Sequence, residues 1–304
     1  DEWGFETEAD GSMEDLGLKR QRISDGIKKM QARHPEPLPL QSVRDDIQKL
    51  LIQDPDLGPT LIRLAWHSSG TYSRLAQNGG SGGGTIRFKE ELLHEANAGL
   101  KLAIDKLDKR VKAKHPEISY ADLFTLGGAV AVETLGGPSI AWRRGRKDAP
   151  DARAVTEDGR LPDPDKGGSK STAAHIRAVF TRMGFNDQEI VALCGAHAVG
   201  ECHADMSGYV GSWTTTPNIF NNLYFQFLVK LKWEPHTDFG KLQYRARTVG
   251  VEVMMLPSDI ALLEDESFRV YVQKYAVDQE VWYRDFKGAF EKLLELGTTD
   301  LKDA

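Results

Sequence analysis

Apolar residues recur every three or four positions along most of the chain, the spacing that gathers them on one face of an α-helix. This periodicity predicts helices over 14–32, 42–53, 59–68, 89–111, 119–134, 171–184, 187–199, 217–230, 257–263, 266–276 and 279–297. Several begin with capping chemistry: Ser119 precedes YADLFTLGGAVAV, Asn186 precedes DQEIVALCGAHAV, and Pro257-Ser258 opens a run ending in LLED. One stretch alternates instead. LQYRARTVGVEVMML reads as two short strands turning at Val249-Gly250. The fold class is therefore mostly α with a small β-hairpin. Two glycine-rich loops, QNGGSGGGTIRF and DPDKGGSKS, do not lie between a strand and a helix, so neither fits a nucleotide-phosphate fingerprint.

Composition narrows the setting. At 304 residues and 40% hydrophobic, the chain can bury one large core, in one domain or in two lobes that share it. No window approaches twenty apolar residues, so no transmembrane segment is expected in the chain as given. The acidic start, DEWGFETEADGSMED, lacks the apolar centre of a targeting signal, and residues 1–13 are set aside as an added or unfolded segment. A formal net charge of -6 argues against nucleic acid and leaves room for a basic partner. Two cysteines, Cys194 and Cys202, cannot build a disulfide framework.

Two stretches carry chemistry. In LIRLAWHSSG, Arg63, Trp66 and His67 share one helix face; read alone, this is either a reactive constellation or the wet side of an ordinary amphipathic helix. In ALCGAHAVGECHADMSGYVGSW, Cys194, His197, Cys202 and His203 suggest a zinc set, though the adjacent Cys202 and His203 point in different directions. The other reading uses His197 alone. A single imidazole at the end of an apolar helix suits haem iron, provided that its second nitrogen finds an acceptor.

The segments RLAWHSSGTYSR, NGGSGGGTIRF, EANAGL, WRRGRKDAPD, GRLPDPDKGG, CGAHAVGECH, SGYVGSW and MMLPSDIALL occur in the order found in class I haem peroxidases. The chain resembles that class from about residue 40 to 297, with both of its signature blocks present. Within the class it is most similar to the cytochrome c peroxidases and to the hybrid ascorbate/cytochrome c peroxidases of trypanosomatid parasites. The resemblance implies one peroxidase domain over 14–304, with haem between a distal lobe (about 14–160) and a proximal lobe (about 161–304). The implied reaction reduces H₂O₂ to water at the expense of one-electron donors.

It also implies roles for single residues. His67 moves the peroxide proton, Arg63 stabilises developing negative charge, Trp66 packs over the haem, and Asn97 accepts from the far nitrogen of His67. His197 is the iron ligand, Asp259 its hydrogen-bond acceptor, and Trp213 the proximal tryptophan that shares Asp259 and carries an oxidising equivalent. His203 and Ser207 partner the haem propionates. The cofactor is haem b held noncovalently, since the chain has no C-x-x-C-H motif.

For the electron donor, Met206 stands where ascorbate peroxidases carry arginine, and QDPDLGPT supplies neither their lysine nor their cysteine. Ascorbate therefore lacks an evident cation. Asp54, Asp56, Glu291 and Glu295 offer a face for a lysine-rich cytochrome c. Ala198 and Asn221 replace two ligands of the potassium site of ascorbate peroxidases, leaving Thr214 and Thr216, so no tightly bound potassium is expected. Cys202, Met254 and Met255 are candidate sulfur neighbours of Trp213. A mitochondrial location follows from the resemblance. A non-catalytic haem sensor and a zinc-stabilised interaction domain are the alternatives from other classes.

Overall fold

The core is built around a helix with no polar side. In the computed structural model, which describes Leu40–Ala304, the helix Tyr120–Thr134 buries every residue from Ala121 to Val132. Its two buried polar side chains are satisfied. Asp122 accepts from the Arg146 guanidinium at 2.9 Å, and the Thr125 hydroxyl accepts from the Trp142 indole at 3.0 Å. Ser119 caps the start, its hydroxyl accepting from the Asp122 N–H.

Around it lie α1 (Leu40–Gln53), α2 (Leu57–Ser69), the one-turn α3 (Lys89–Leu92), α4 (Leu100–Leu107), α5 (the central Tyr120–Thr134), α6 (Ser169–Met183), α7 (Asp187–Cys194), α8 (Leu223–Lys230), α9 (Pro257–Glu264), α10 (Glu266–Val277) and α11 (Gln279–Leu294). Among the described residues, seven short strands form three small antiparallel sheets: β1 (Arg143–Arg144) with β7 (Lys302–Asp303), β2 (Glu201–Cys202) with β3 (Gly211–Ser212), and β4 (Glu234–His236), β5 (Gln243–Thr248) and β6 (Val251–Met255) in order. Leu40–Ala304 form one compact unit. The expected helix over 14–32 and the segment 1–13 lie outside the described residues. No helix among the described residues is long and apolar enough to cross a membrane.

The expected hairpin is β5–β6. Val249 and Gly250 turn it with φ of 47° and 79°, as a two-residue hairpin turn with right-handed strand twist requires. Its third strand β4 and the ladders β1–β7 and β2–β3 were not expected, because strands of two or three residues leave no alternation to read.

Three expected helices are shorter or broken. The stretch 89–111 is not one helix: α3 ends, Glu95–Asn97 makes a 3₁₀ turn, and α4 begins after Gly99, whose φ of 83° no right-handed helix accommodates. The apolar period survives the break because α4 still buries Leu100, Ala103, Ile104 and Leu107. Helix α7 stops at Cys194 and hands over to a 3₁₀ turn at Gly195–Ala198. The stretch 217–230 is helical only from Leu223, since Phe220 N–H leaves the local ladder to donate to Leu135 O at 2.8 Å.

Helix α2 reaches α5 at Gly128, where an added Cβ would lie 2.4 Å from that of Ala65. This close approach fixes the height of α2 and of the side chains on its far face. Gly128→Ala should therefore destabilise the protein by about 1–3 kcal/mol through overpacking, although alanine is the better helix former. Gly288→Ala on α11 meets nothing within 4 Å and should stabilise by about 0.5–1 kcal/mol. Urea unfolding of both variants checks the pair, and equal signs would refute the packing argument.

Candidate active site

Arg63 and His67 project from α2 toward the turn that interrupts 89–111. His67 Nδ1 lies 2.8 Å from Asn97 Oδ1, and Asn97 Nδ2 donates to Glu91 O at 2.8 Å. That second bond orients the amide so that its carbonyl faces the ring. A carbonyl can only accept, so the His67 proton sits on Nδ1 and the lone pair on Nε2 is free. The same turn holds Arg63: its guanidinium donates to Ala96 O at 2.7 Å and to Ala98 O at 3.0 Å. Three consecutive residues thus fix both functional groups of α2, which explains the break in the helix.

Burial strips water from an imidazolium at His67, and the Arg63 charge beside it adds repulsion. Together they lower its pKa to about 3. His67 is accordingly a neutral base. Trp66 lies flat on Phe180, with centroids 5.1 Å apart and planes 5° apart, and edge-on to His67 at 6.3 Å. Gly70 leaves room for this ring, since a Cβ there would come within 2.8 Å of it.

A second cluster forms where α7 ends. Gly195 lets the 3₁₀ turn pass under Trp282, whose indole nitrogen would lie 2.5 Å from a Cβ at that position. The turn then presents His197. Its Nδ1 lies 2.8 Å from Asp259 Oδ1, on the first turn of α9. Ladder β2–β3 brings Trp213 flat against the same imidazole, at 4.2 Å between centroids and 16° between planes. The Trp213 indole donates to Asp259 Oδ2 at 2.8 Å.

Burial alone would raise the Asp259 pKa. The facing His197 and the hydrogen bonds from His197, Leu256 N–H and Tyr224 more than offset it and hold the carboxyl below its ordinary value. The carboxylate therefore takes the Nδ1 proton of His197 as a hydrogen bond, and His197 Nε2 has no partner among the described residues.

Of the remaining expected residues, His203 is exposed, 3.6 Å from Glu201, and the Ser207 hydroxyl donates to His203 O and accepts from Tyr209 N–H within its own turn. That turn borders the first cluster: a Cβ on Gly99 would lie 3.1 Å from Met206 Sδ and 4.0 Å from Arg63 Nη1. Lys241 also reaches it, donating to Ser207 O at 3.0 Å, a cation that its distance in sequence conceals.

The zinc reading fails. Among the described residues no three His, Cys, Asp or Glu side chains converge as a metal set. Met254 and Met255 are buried on β6.

The four acids expected to meet a basic partner are only partly free charge. Asp54 pairs with Lys106, and Glu295 with Arg143. Asp56 accepts from the Asn218 amide at 2.9 Å, and Glu291 from Ala141 N–H at 2.6 Å. Tyr224, which donates to Asp259 Oδ1 at 2.7 Å, was missed; a tyrosine in an apolar run gives no sign of its partner.

The peroxidase family model matches residues 43–278. The chain is 50% identical over 262 residues to the mitochondrial cytochrome c peroxidase of Aspergillus fumigatus, covering 84% of this chain and 69% of that protein. It is 48% identical over 266 residues to a Cryptococcus neoformans protein named "Putative heme-binding peroxidase", covering 84% and 78%. It is likewise 48% identical over 268 residues to the mitochondrial cytochrome c peroxidase of Pyricularia oryzae, covering 86% and 72%.

The unusual state of His67 is directly measurable. Between pH 7 and pH 5 its NMR ring signals should stay at their neutral positions, whereas an ordinary imidazole of pKa about 6.5 would retain roughly 3% of its base form at pH 5. Arg63→Leu should move the titration upward, because removing a neighbouring cation favours the imidazolium. A parent titration centred near 6.5 would contradict the assignment.

Proposed function

The chain belongs to the peroxidase family, and on that premise we propose that it is a haem peroxidase that reduces H₂O₂ to two waters with two protons and two electrons, the electrons coming from ferrocytochrome c. One observation carries the reading: the site holds two imidazoles whose Nε2 atoms have no partner among the described residues, one backed by a neutral amide and the other by a buried carboxylate. Such a pair fits haem. His197 would hold the iron, with Asp259 strengthening it as a donor, and His67 would remain a free base. His203, Ser207 and the turn between them would border the propionates. When bound, the haem supplies an iron centre that accepts peroxide and exchanges electrons with it.

The protein groups manage the proton and the charge. Peroxide must lose a proton from one oxygen and regain it on the other as the O–O bond breaks, so a single group has to do both. His67 Nε2 takes that proton, because burial and Arg63 keep the imidazole neutral. Asn97 holds the Nδ1 proton in place throughout. Arg63, pinned by two carbonyls, keeps a fixed positive charge where the departing oxygen gathers electrons. The Trp66 indole N–H adds a donor on the same face.

Trp213 is suited to hold a one-electron vacancy. An oxidised indole is a cation, and the Asp259 carboxylate that accepts its N–H stabilises that charge. The surroundings support a site without potassium: the Thr214 hydroxyl already donates to Ala198 O, and Asn221 to the Thr216 hydroxyl. From Trp213 the chain runs to Asn218, whose amide bonds the exposed Asp56. This supports docking of a basic cytochrome c at Asp56, whereas Glu291 lies 3.8 Å from the Lys287 ammonium. Asp54 and Glu295 contribute less, since each has an internal cation. The names of the relatives support a mitochondrial location. Lys241 beside Ser207 keeps ascorbate as a second donor, because it provides one cation at the turn where Met206 provides none.

Sequential stopped-flow mixing with H₂O₂ and then ferrocytochrome c tests the assignment. His67→Leu should slow the peroxide step by at least about 10²-fold, the lower end for a lost acid–base group. Trp213→Phe should spare that step and cut cytochrome c turnover by orders of magnitude; retained turnover would remove Trp213 from the route. Asp56→Lys should raise KM for cytochrome c more than Asp54→Lys does, with the difference fading at high ionic strength.

A further inference from the structure

Asp259 Oδ1 is shared between two donors. It accepts the His197 Nδ1–H at 2.8 Å and the Tyr224 hydroxyl at 2.7 Å. Oδ2 is likewise doubly used, by the Trp213 indole at 2.8 Å and Leu256 N–H at 2.7 Å. Tyr224 is fully buried on α8 and stands edge-on to the His197 ring, with centroids 5.9 Å apart and planes at 83°. Its O–H has to donate, because an ionised carboxylate offers no proton.

A carboxylate oxygen that takes two short hydrogen bonds divides its charge between them. Whatever density the phenol withdraws is unavailable to polarise the Nδ1–H bond of His197. We propose that Tyr224 is a positioning residue for the peroxidase reaction: by competing for Asp259 Oδ1 it limits the imidazolate character of His197, and so sets the reduction potential of the haem that His197 would hold. The inference rests on the haem-binding function argued above. It gives Asp259 two outlets of opposite effect. The bond to His197 makes the iron ligand electron-rich and favours the oxidised metal, while the bond to Tyr224 holds that effect down. The same competition reaches Trp213, since charge drawn toward the phenol no longer stabilises an indole cation on the other oxygen.

The test is Tyr224→Phe in the holoenzyme, which removes one oxygen atom and keeps the ring. Spectroelectrochemistry should show the ferric/ferrous equilibrium displaced toward ferric by about three- to tenfold, a potential lower by up to about 59 mV. The iron–histidine stretching band in the ferrous resonance Raman spectrum should rise, and the tryptophan radical signal after peroxide should last longer. Tyr275→Phe is the control: it removes another buried hydroxyl, bonded to Asp285 at 3.0 Å and not to Asp259, and should leave all three readouts in place. Should Tyr224→Phe lose its fold, 3-fluorotyrosine at the same position decides the matter. It keeps the hydroxyl, makes it a stronger donor, and should move the potential the opposite way. Haem bound with unmoved potential and stretch, or an equal shift in the Tyr275 control, overturns this proposal alone. A chain that takes up no haem overturns it together with the function above.

Discussion

A carboxylate buried in the protein interior organises the candidate site. Asp259 is 1% exposed, and an ionised carboxyl taken that far from water costs several kcal/mol unless its lone pairs are met. Four donors meet them: an imidazole, an indole, a phenol and a backbone N–H. Its place on the first turn of α9 adds the favourable end of the helix dipole. These donors come from four separate stretches of chain: the turn after α7, the residue after β3, helix α8 and the lead-in to α9. Placing one carboxylate therefore aligns four segments, and a change in any donor reaches the others through the shared oxygens.

How much of this was legible in the sequence depended on the range of the interaction. The caps at Ser119 and Asn186 and the Val249-Gly250 turn are local, and the structure has each of them; the helical periods are local too, but three of the expected helices are shorter or broken and 14–32 lies outside the described residues. Arg63, Trp66 and His67 fell on one helix face by spacing alone, but only the resemblance gave them Asn97. The break at Gly99 was hidden because apolar residues keep their period across it. The two Arg63–carbonyl bonds were hidden because a backbone carbonyl has no letter in the sequence. Tyr224 and Lys241 act on residues 35 and 34 positions away, respectively, and neither sits in a motif that names its partner. Pairing was equally hidden: folding hands Asp54 and Glu295 to Lys106 and Arg143 and sets Glu291 3.8 Å from Lys287.

Under the proposed function, the two histidines are one side chain set to two tasks by its acceptor. Both carry the proton on Nδ1 and leave Nε2 open. Asn97 offers His67 a neutral carbonyl, which fixes the tautomer but contributes no charge; burial and Arg63 then prevail, and the ring is a poor holder of a second proton. A base of that kind gives its proton back readily, as transfer between two oxygens of one substrate requires. Asp259 offers His197 a full negative charge, which pulls the Nδ1 proton and enriches Nε2, as a metal ligand requires. Exchanging the acceptors would defeat both tasks: a carboxylate behind His67 would stabilise its imidazolium and hold the proton, and an amide behind His197 would leave a weak ligand. The chemistry of the site is thus decided one bond away from the reacting atoms, by an amide on an irregular turn and a carboxylate on a helix start.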